Sequence, residues 1–280
     1  MPSLFRKAWK VQIDTIQTDA HDLIFSIEKT LKRQPNTCTV SVYNLSDAQR
    51  KQIENLSIAK KKGRGKIRVQ IEAGHAGNTS LLFRGDLRTA RTERAGPDLV
   101  TTIEGDDGGR DILLARVSRS FPPGTSVLTV VRALAIALGI GEGNLATLAY
   151  STRGGSTFAR GTVLTGKADE ELTRILHSCG LTWSVQNGAL QVLRAGAALA
   201  TAAVVLRARE GQSYTGLVGT PSVDPDGTVN ATALIQPGLD PGGRAQIDCP
   251  TLTGLYQIRN VTYEGDTASD SWYANLELKP

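Results

Sequence analysis

Residues 168–193, ADEELTRILHSCGLTWSVQNGALQVL, change hydrophobic period half-way along. Leu172, Ile175, Leu176 and Cys179 recur at i, i+3, i+4 and i+7, the spacing of one helical face. Asp169, Glu170 and Glu171 fill the first turn, where negative charge meets the positive end of the helix dipole. His177 sits in the last turn, and Gly180 follows as a left-handed C-cap. From there the period is two. Leu181, Trp183 and Val185 alternate with Thr182, Ser184 and Gln186, and Leu190 and Val192 resume the alternation after Asn187-Gly188. Asn-Gly between two alternating runs predicts a tight hairpin, because both turn residues take positive φ. One helix therefore feeds one hairpin, in a small α/β unit without evident catalytic residues.

Working outward, alternation dominates on both sides. Before the unit, Trp9–Ile13, Leu23–Ile27, Cys38–Val42 and Ile67–Ile71 read as half-buried strands, with two more strand-like pieces ending near Phe83 and Ile103. Ser46 and Gln49 form a capping box for a short helix to about Leu56, burying Ile53 and Leu56. Gly105-Asp106-Asp107-Gly108-Gly109 closes this series as a turn. Six strands and one helix predict a closed or nearly closed antiparallel barrel. After Phe121-Pro122-Pro123-Gly124, Thr125 is placed to cap a helix over Val127, Val130, Val131, Leu134 and Leu138, ended by Gly139. The Gly/Ser/Thr-rich stretch to Gly155 reads as loop. Beyond a small-residue connector at Ala195–Ala203, strands are expected at Val204–Leu206, Val229–Ile235, Ala245–Asp248, Leu255–Tyr263 and Trp272–Leu278. Gly219-Thr220-Pro221, Asp224–Gly227 and Pro237–Gly243 are read as loops between them. The expectation is a mainly β chain in three parts: 1–117 and 195–280 as antiparallel β-barrels, and 118–194 as a helix–hairpin α/β domain.

Composition limits the functions available. The 280 residues exceed one typical domain. No apolar run is long enough for a membrane span, and the N-terminus does not read as a secretory signal. Cys38, Cys179 and Cys249 are odd in number and far apart, so they read as unpaired thiols of a reducing compartment. The net charge of +5 is uneven. Residues 1–70 hold fourteen Lys or Arg against six Asp or Glu, so the remainder of the chain is slightly acidic.

Each candidate for chemistry has a plainer reading. Gly161–Lys167 has the spacing of a phosphate-binding loop before a helix. Ala168 follows, however, with no hydroxyl for Mg²⁺, and the intervening residues favour a strand running into the helix. Lys60, Lys61, Lys62, Arg64 and Lys66 are candidates for an interaction site, by touching phosphates or, preferably, a protein neighbour. No aromatics stand among them to stack bases. His21, His75 and His177 lack metal-ligand spacing, and no G-x-S-x-G elbow exists. Asp106-Asp107 and Asp224/Asp226 read as turn-formers, and Trp183, Trp272 and Tyr273 as core or interface residues. These readings give no catalytic residue, no cofactor and no metal.

A series of segments then carries a resemblance. In order they are Tyr43-Asn44-Leu45-Ser46, Ala73-Gly74, Phe83-Arg84-Gly85, Gly105–Gly108, Pro123-Gly124-Thr125, the helix–hairpin Leu172–Val192, Pro237–Gly242, Tyr256–Ile258, Gly265-Asp266 and Trp272-Tyr273. The chain resembles the baseplate hub proteins of tailed phages, especially contractile-tailed phages and related injection systems, over nearly its whole length. The resemblance implies two tube-type β-barrel domains sandwiching a small α/β domain. It implies a homotrimeric ring joining the six-fold tail tube to the three-fold central spike. The implied partners are the tail tube protein, the central spike protein and baseplate wedge or other tail proteins, with genomic DNA passing through the lumen unbound. The implied location is the virion tail baseplate, with the host cytoplasm during assembly. The chain ends directly after its last strand, so a minimal hub is expected. Two alternatives remain: a tail-tip cell-wall hydrolase, and a nucleic-acid-binding module using the basic Lys60–Lys66 segment.

Overall fold

The computed structural model describes residues 6–63, 65–147, 155–208 and 213–280. In chain order, strands β1 (Lys7–Ile13), β2 (Ile16–Thr18), β3 (Leu23–Thr30) and β4 (Thr37–Tyr43) lead into helix α1 (Asp47–Lys61). Strands β5 (Arg68–His75), β6 (Asn78–Ala95) and β7 (Asp98–Asp106) follow, then α2 (Gly109–Leu114), β8 (Arg116–Phe121), α3 (Val127–Ala137) and β9 (Thr162–Lys167). Next come α4 (Ala168–Ser178) and the hairpin of β10 (Leu181–Gln186) and β11 (Ala189–Arg194). The remainder is β12 (Val204–Arg207), β13 (Leu217–Val223), β14 (Val229–Leu234), β15 (Arg244–Asp248), β16 (Thr253–Asp266) and β17 (Trp272–Lys279).

The chain divides into two compact units. The smaller, Leu31–Pro35 with Gly108–Ala198, holds the helix–hairpin. There α4 buries Leu172, Ile175 and Leu176 against α3 and β10, while Cys179 stays half-exposed. Asn187 and Gly188 take φ of 55° and 77°, as the turn requires. The N-cap of α3 is Ser126, not Thr125: the Ser126 hydroxyl accepts from Thr129 N–H, whereas Thr125 donates to the Pro122 carbonyl. Gly139, at φ 66°, ends that helix. Two strands that carried no clear alternation, β8 and β9, pair antiparallel in this unit.

The larger unit, Met1–Thr30, Asn36–Asp107 and Leu199–Pro280, is one hydrogen-bonded sheet of thirteen strands. Its main path runs β13-β14-β17-β16-β3-β4-β7-β6-β5-β1-β2, with β15 branching from β16 and β12 from β15. Among the described residues this path stays open. The two β segments, each expected as a closed or nearly closed barrel, are joined edge to edge where β16 pairs β3. One apolar core serves both, drawing Ile27, Val40, Ile71 and Ile103 from the first segment and Ala233, Ile247, Val261 and Leu276 from the second.

The capping box at α1 is present, with Ser46 Oγ accepting from Gln49 N–H and Gln49 Oε1 accepting from Ser46 N–H. The helix nevertheless continues past Leu56 to Lys61. Its apolar face ends at Leu56, but Lys60 and Lys61 are good helix formers whose charge suits the C-terminal end of the dipole.

Candidate assembly surfaces

The strand order occurs twice. From β3 it reads β3-β4-β7-β6-β5-β1, and from β13 it reads β13-β14-β17-β16-β15-β12. The correspondence holds residue by residue. A ladder irregularity falls between Leu87 and Thr89 on β6 and between Ile258 and Asn260 on β16. Thr89 faces Glu104 of β7, as Asn260 faces Glu277 of β17. Leu87 N–H donates to the carbonyl of Ile67, the residue before β5, at 2.8 Å; Ile258 N–H donates to that of Gly243, the residue before β15, at 3.0 Å. The repeat departs from itself where β1 runs antiparallel to β5 but β12 runs parallel to β15, and where the β13–β14 and β5–β6 ladders carry irregularities that β3–β4 and β15–β16 lack.

The joint between the two copies is densely built. Past its irregularity, β16 leaves β15 and pairs β3 from Asn260↔Thr30 to Asp266↔Ile24. Trp272 packs edge-on against Phe25 at 5.3 Å and Trp9 at 6.2 Å, and its indole N–H donates to the Gly74 carbonyl at 2.9 Å. Lys7 lies over the same ring at 5.5 Å. Gly265 leaves room for the Phe25 and Trp272 rings, which a β-carbon there would meet. Lys29, its side chain fully buried, donates to the Leu82 carbonyl at 3.1 Å and makes an ion pair with Asp240. Tyr263 donates to the Leu239 carbonyl at 2.6 Å, and burial followed by the nearby Asp240 charge holds its phenol well above the ordinary value. The contacts of Trp272 with Phe25, Trp9 and Gly74, and of Lys29 with Asp240, each link residues more than 190 positions apart in sequence.

One face of this sheet is polar and carries acid. In register across the joint lie Thr232, Asn275, Thr262, Glu28 and Thr37, and beside them Glu264, Ser26, Thr39, Glu104 and Thr89. A shallow groove of about 580 Å³ runs over β13, β14, β17 and β16, lined by Thr232, Asn260, Asn275 and Glu277 among others. Lys279, at the end of β17 on this side, is held by Asp226 at 3.0 Å.

The basic residues are not one loop. Lys60 lies in the last turn of α1, half-buried, in an ion pair with Asp86, which also accepts from Ile67 N–H at 2.6 Å. Lys61, Lys62 and Lys66 are exposed, and Arg64 lies outside the described residues. The structure thus separates a structural Lys60 from an outward-facing Lys61 and Lys62.

The remaining candidates resolve into structure. Thr162–Lys167 is a strand that runs directly into α4 at Ala168, so the P-loop spacing of Gly161–Lys167 falls on β9. Asp107 accepts from Asn36 N–H and Nδ2 at 2.8 and 2.7 Å, and Asp224 and Asp226 brace the β13–β14 turn. His75 is buried, and burial, then the charge of Lys7, lowers its pKa. Burial of Cys38 raises its thiol pKa. Among the described residues no cluster of His, Cys, Asp or Glu is grouped to hold a metal, and no helix is long and apolar enough to cross a membrane.

The sheet thus carries one strand order twice, and among the described residues its end strands lack a second partner. The family model described as "Baseplate hub gp41" matches residues 10–278. The chain belongs to the baseplate hub gp41 family. Solved structures agree in fold. A tail protein from Neisseria meningitidis MC58 superposes with a TM-score of 0.65 at 11% identity, over 99% of this chain and 97% of that one. The 43 kDa tail protein of prophage MuSo2 from Shewanella oneidensis gives 0.60 at 11% identity, over 97% and 98%. The E. coli c3393 protein, a type VI secretion component described as similar to the T4 tail proteins gp27 and gp5, gives 0.55 at 11% identity, over 96% and 76%. No curated protein matches the sequence. The membership supports a structural role in a phage tail, at the baseplate.

Proposed function

We propose that this hub protein forms a homotrimeric ring that joins the six-fold tail tube to the three-fold central spike. The observation that carries the reading is the repeated strand order. One chain holds two copies of it, so three chains hold six, which matches six tube subunits on one side and three spike subunits on the other. In this reading, 1–117 and 195–280 are the two tube-like domains and 118–194 is the α/β domain between them. The protein works by fitting surfaces together and needs no catalytic residue or cofactor. Its partners are a second and third copy, the tail tube protein, the spike and the baseplate wedge.

The polar sheet face, on which Arg91 and Lys279 are paired with Glu93 at 3.3 Å and Asp226 at 3.0 Å, supports a lumen wall for passing genomic DNA. Glu28, Glu104, Glu264 and Glu277 repel phosphate, and their neighbours offer hydroxyl and amide groups to water. Lys61, Lys62 and Lys66 are then left to contact the baseplate, away from DNA.

Native mass spectrometry across a concentration series, followed by electron microscopy of the assembled species, tests the reading. A closed ring of three copies without nucleic acid or metal supports it. A dimer, or an open filament, sinks it.

A further inference from the structure

The joint between the two repeats is a template for the contact between two copies. In the second repeat, the far half of β16 pairs β3, the first strand of the first repeat. The corresponding segments, the far half of β6 and the strand β13, have no second strand partner among the described residues. The geometry points to a seam in which residues 91–95 of β6 in one copy pair antiparallel with residues 218–224 at β13 of the next copy. This inference rests on the ring reading and deepens it, because it names the edges that close the ring.

The register follows from the repeat. Thr89 matches Asn260 and Glu104 matches Glu277, so Glu93 matches Glu264 and Thr92 matches Tyr263. On the other side, Ser26 reaches Glu104 through Thr39, and Ser222 reaches Glu277 through Asn230, so Ser222 matches Ser26 and Val223 matches Ile27. Within the chain, Glu264 faces Ser26 and Tyr263 faces Ile27. Between copies, Glu93 therefore faces Ser222, Thr92 faces Val223, and Arg91 faces Asp224. Ala95 faces Val218, and the irregularity at Gly219-Thr220-Pro221 bulges out opposite Arg94.

Three observations single out these edges. First, Val223 is 57% exposed, whereas its counterpart Ile27 is fully buried at the joint. A core position is left open in one repeat and covered in the other, and pairing with Thr92 would cover it. Second, Ala90 N–H points away from β7, donating to Ser57 Oγ of α1 at 3.0 Å. By alternation along the strand, Thr92 and Arg94 present N–H and C=O to the same free side. The helix covers the edge only as far as Ala90, so the seam begins just past it. Third, the register brings the exposed Arg91, which pairs with Glu93 of its own strand at 3.3 Å, against Asp224, opposite in charge. Pro221 and the bulge sit on β13 where a flat, indiscriminate edge would otherwise stand, which suits an edge meant for one partner.

The test is a disulfide across the seam. Six strands separate β6 from β13 within one chain, roughly 30 Å at sheet spacing. A bond between Glu93→Cys and Ser222→Cys can therefore join only different copies. Directly opposed residues lie about 4.5–5.5 Å apart at Cβ, close enough to bridge with slight adjustment. The double variant, made in the full chain with Cys179→Ser, is oxidised mildly and its native and denatured masses are compared. We expect native trimers that remain covalent trimers in denaturant, while Glu93→Cys paired with Thr232→Cys stays monomeric in denaturant. Val223→Asp, which puts charge where the seam would bury a methyl pair, should weaken association at least about tenfold while leaving the monomer's melting temperature nearly unchanged. Trimers with no covalent link at 93–222 overturn the seam and leave the ring reading standing. A chain that is monomeric at its highest soluble concentration, with no link, overturns both.

Discussion

Strands β6 and β16 hold the same place in two copies of one strand order, yet their far halves differ in what they meet. β16 is covered by β3, whereas among the described residues β6 beyond Ala90 has a strand partner on one side only. The connection before each strand pair differs in the same sense. In the first repeat the fifteen-residue α1 separates β4 from β5 and sets Ser57 on Ala90. In the second, residues 235–243 make the connection without a helix. The space left there takes the incoming Lys29, which pairs with Asp240, while Tyr263 bonds to Leu239. Divergence between the copies is concentrated at the edge, where one must accept a strand from its own chain. The shared irregularity and ladder register are kept.

If the joint holds the larger unit together while the open edges serve assembly, substitutions at the two places should separate in their readouts. The largest effect is expected for Trp272→Ala. This residue is nearly fully buried, fills the space among Phe25, Trp9 and Gly265, and supplies a hydrogen bond to Gly74. Its removal should lower the unfolding free energy by about 3–5 kcal/mol, measured by urea denaturation. A loss below about 1 kcal/mol would mean that the aromatic cluster does not hold the repeats together.

A smaller effect is expected from the charge at the joint. Asp240→Ala leaves Lys29 buried with its ammonium short of a counter-charge, at a cost of about 1–3 kcal/mol, the lower part of that range being favoured because Asp240 is itself 40% exposed. Lys29→Met removes the buried charge and keeps the volume, so it should cost less than Asp240→Ala. The order of the two denaturation midpoints is the measurement, and the reverse order would show that the ammonium contributes net stability through Leu82.

The buried His75 gives the joint a pH dependence of known sign. Burial lowers its pKa in the folded state, with Lys7 adding to the shift, so the unfolded chain binds the proton first. Stability is then full above the ordinary histidine range, about pH 6.5, and falls as pH drops through the lowered value. His75→Gln should flatten this slope between pH 7 and pH 5 in thermal melts. An unchanged slope would assign it to carboxylates elsewhere.

How much of this was legible depended on whether the signal was local. The Ser46/Gln49 box and the Asn187-Gly188 turn are fixed by residues within four positions of each other, and the structure has both. Strand β13 was hidden because Gly219-Thr220-Pro221 reads as a loop, and the residues that make it an irregular edge are the ones that disguise it. The length of β6 was hidden by Arg84, Arg88, Arg91 and Glu93, charged residues that an exposed strand tolerates on its solvent face. Thr125 lost the cap of α3 to its neighbour Ser126, a one-residue shift that side-chain type alone does not decide. The joint was not legible at all. Lys29 and Asp240, and the paired residues of β16 and β3, lie more than 200 positions apart, and no local pattern encodes that they will meet. The basic run was visible as composition only, since its division into a paired Lys60 and exposed Lys61 and Lys62 depends on Asp86.

That division sharpens the test of the basic segment, for which the smallest change in stability is expected. Reversing Lys60 would break its ion pair with Asp86, so any loss of assembly could come from the fold itself. Lys61→Glu with Lys62→Glu avoids that pair. Placing two negative charges at the C-terminal end of α1 should cost about 0.5–1 kcal/mol in total, seen as a small shift in melting temperature. If these lysines meet an acidic neighbour in the baseplate, the doubly reversed chain still forms rings, because the seam residues are untouched, but it incorporates poorly into tails when complementing a hub-deficient phage. Salt should blunt the difference between wild type and variant, since exposed pairs are screened within about 8–10 Å at 0.1–0.15 M. Normal incorporation would leave Lys61 and Lys62 as solvated ends of a helix. Failure at the stage of ring formation would instead place them at the contact between copies, close to the edge that α1 covers, and so extend the seam from β6 onto the helix.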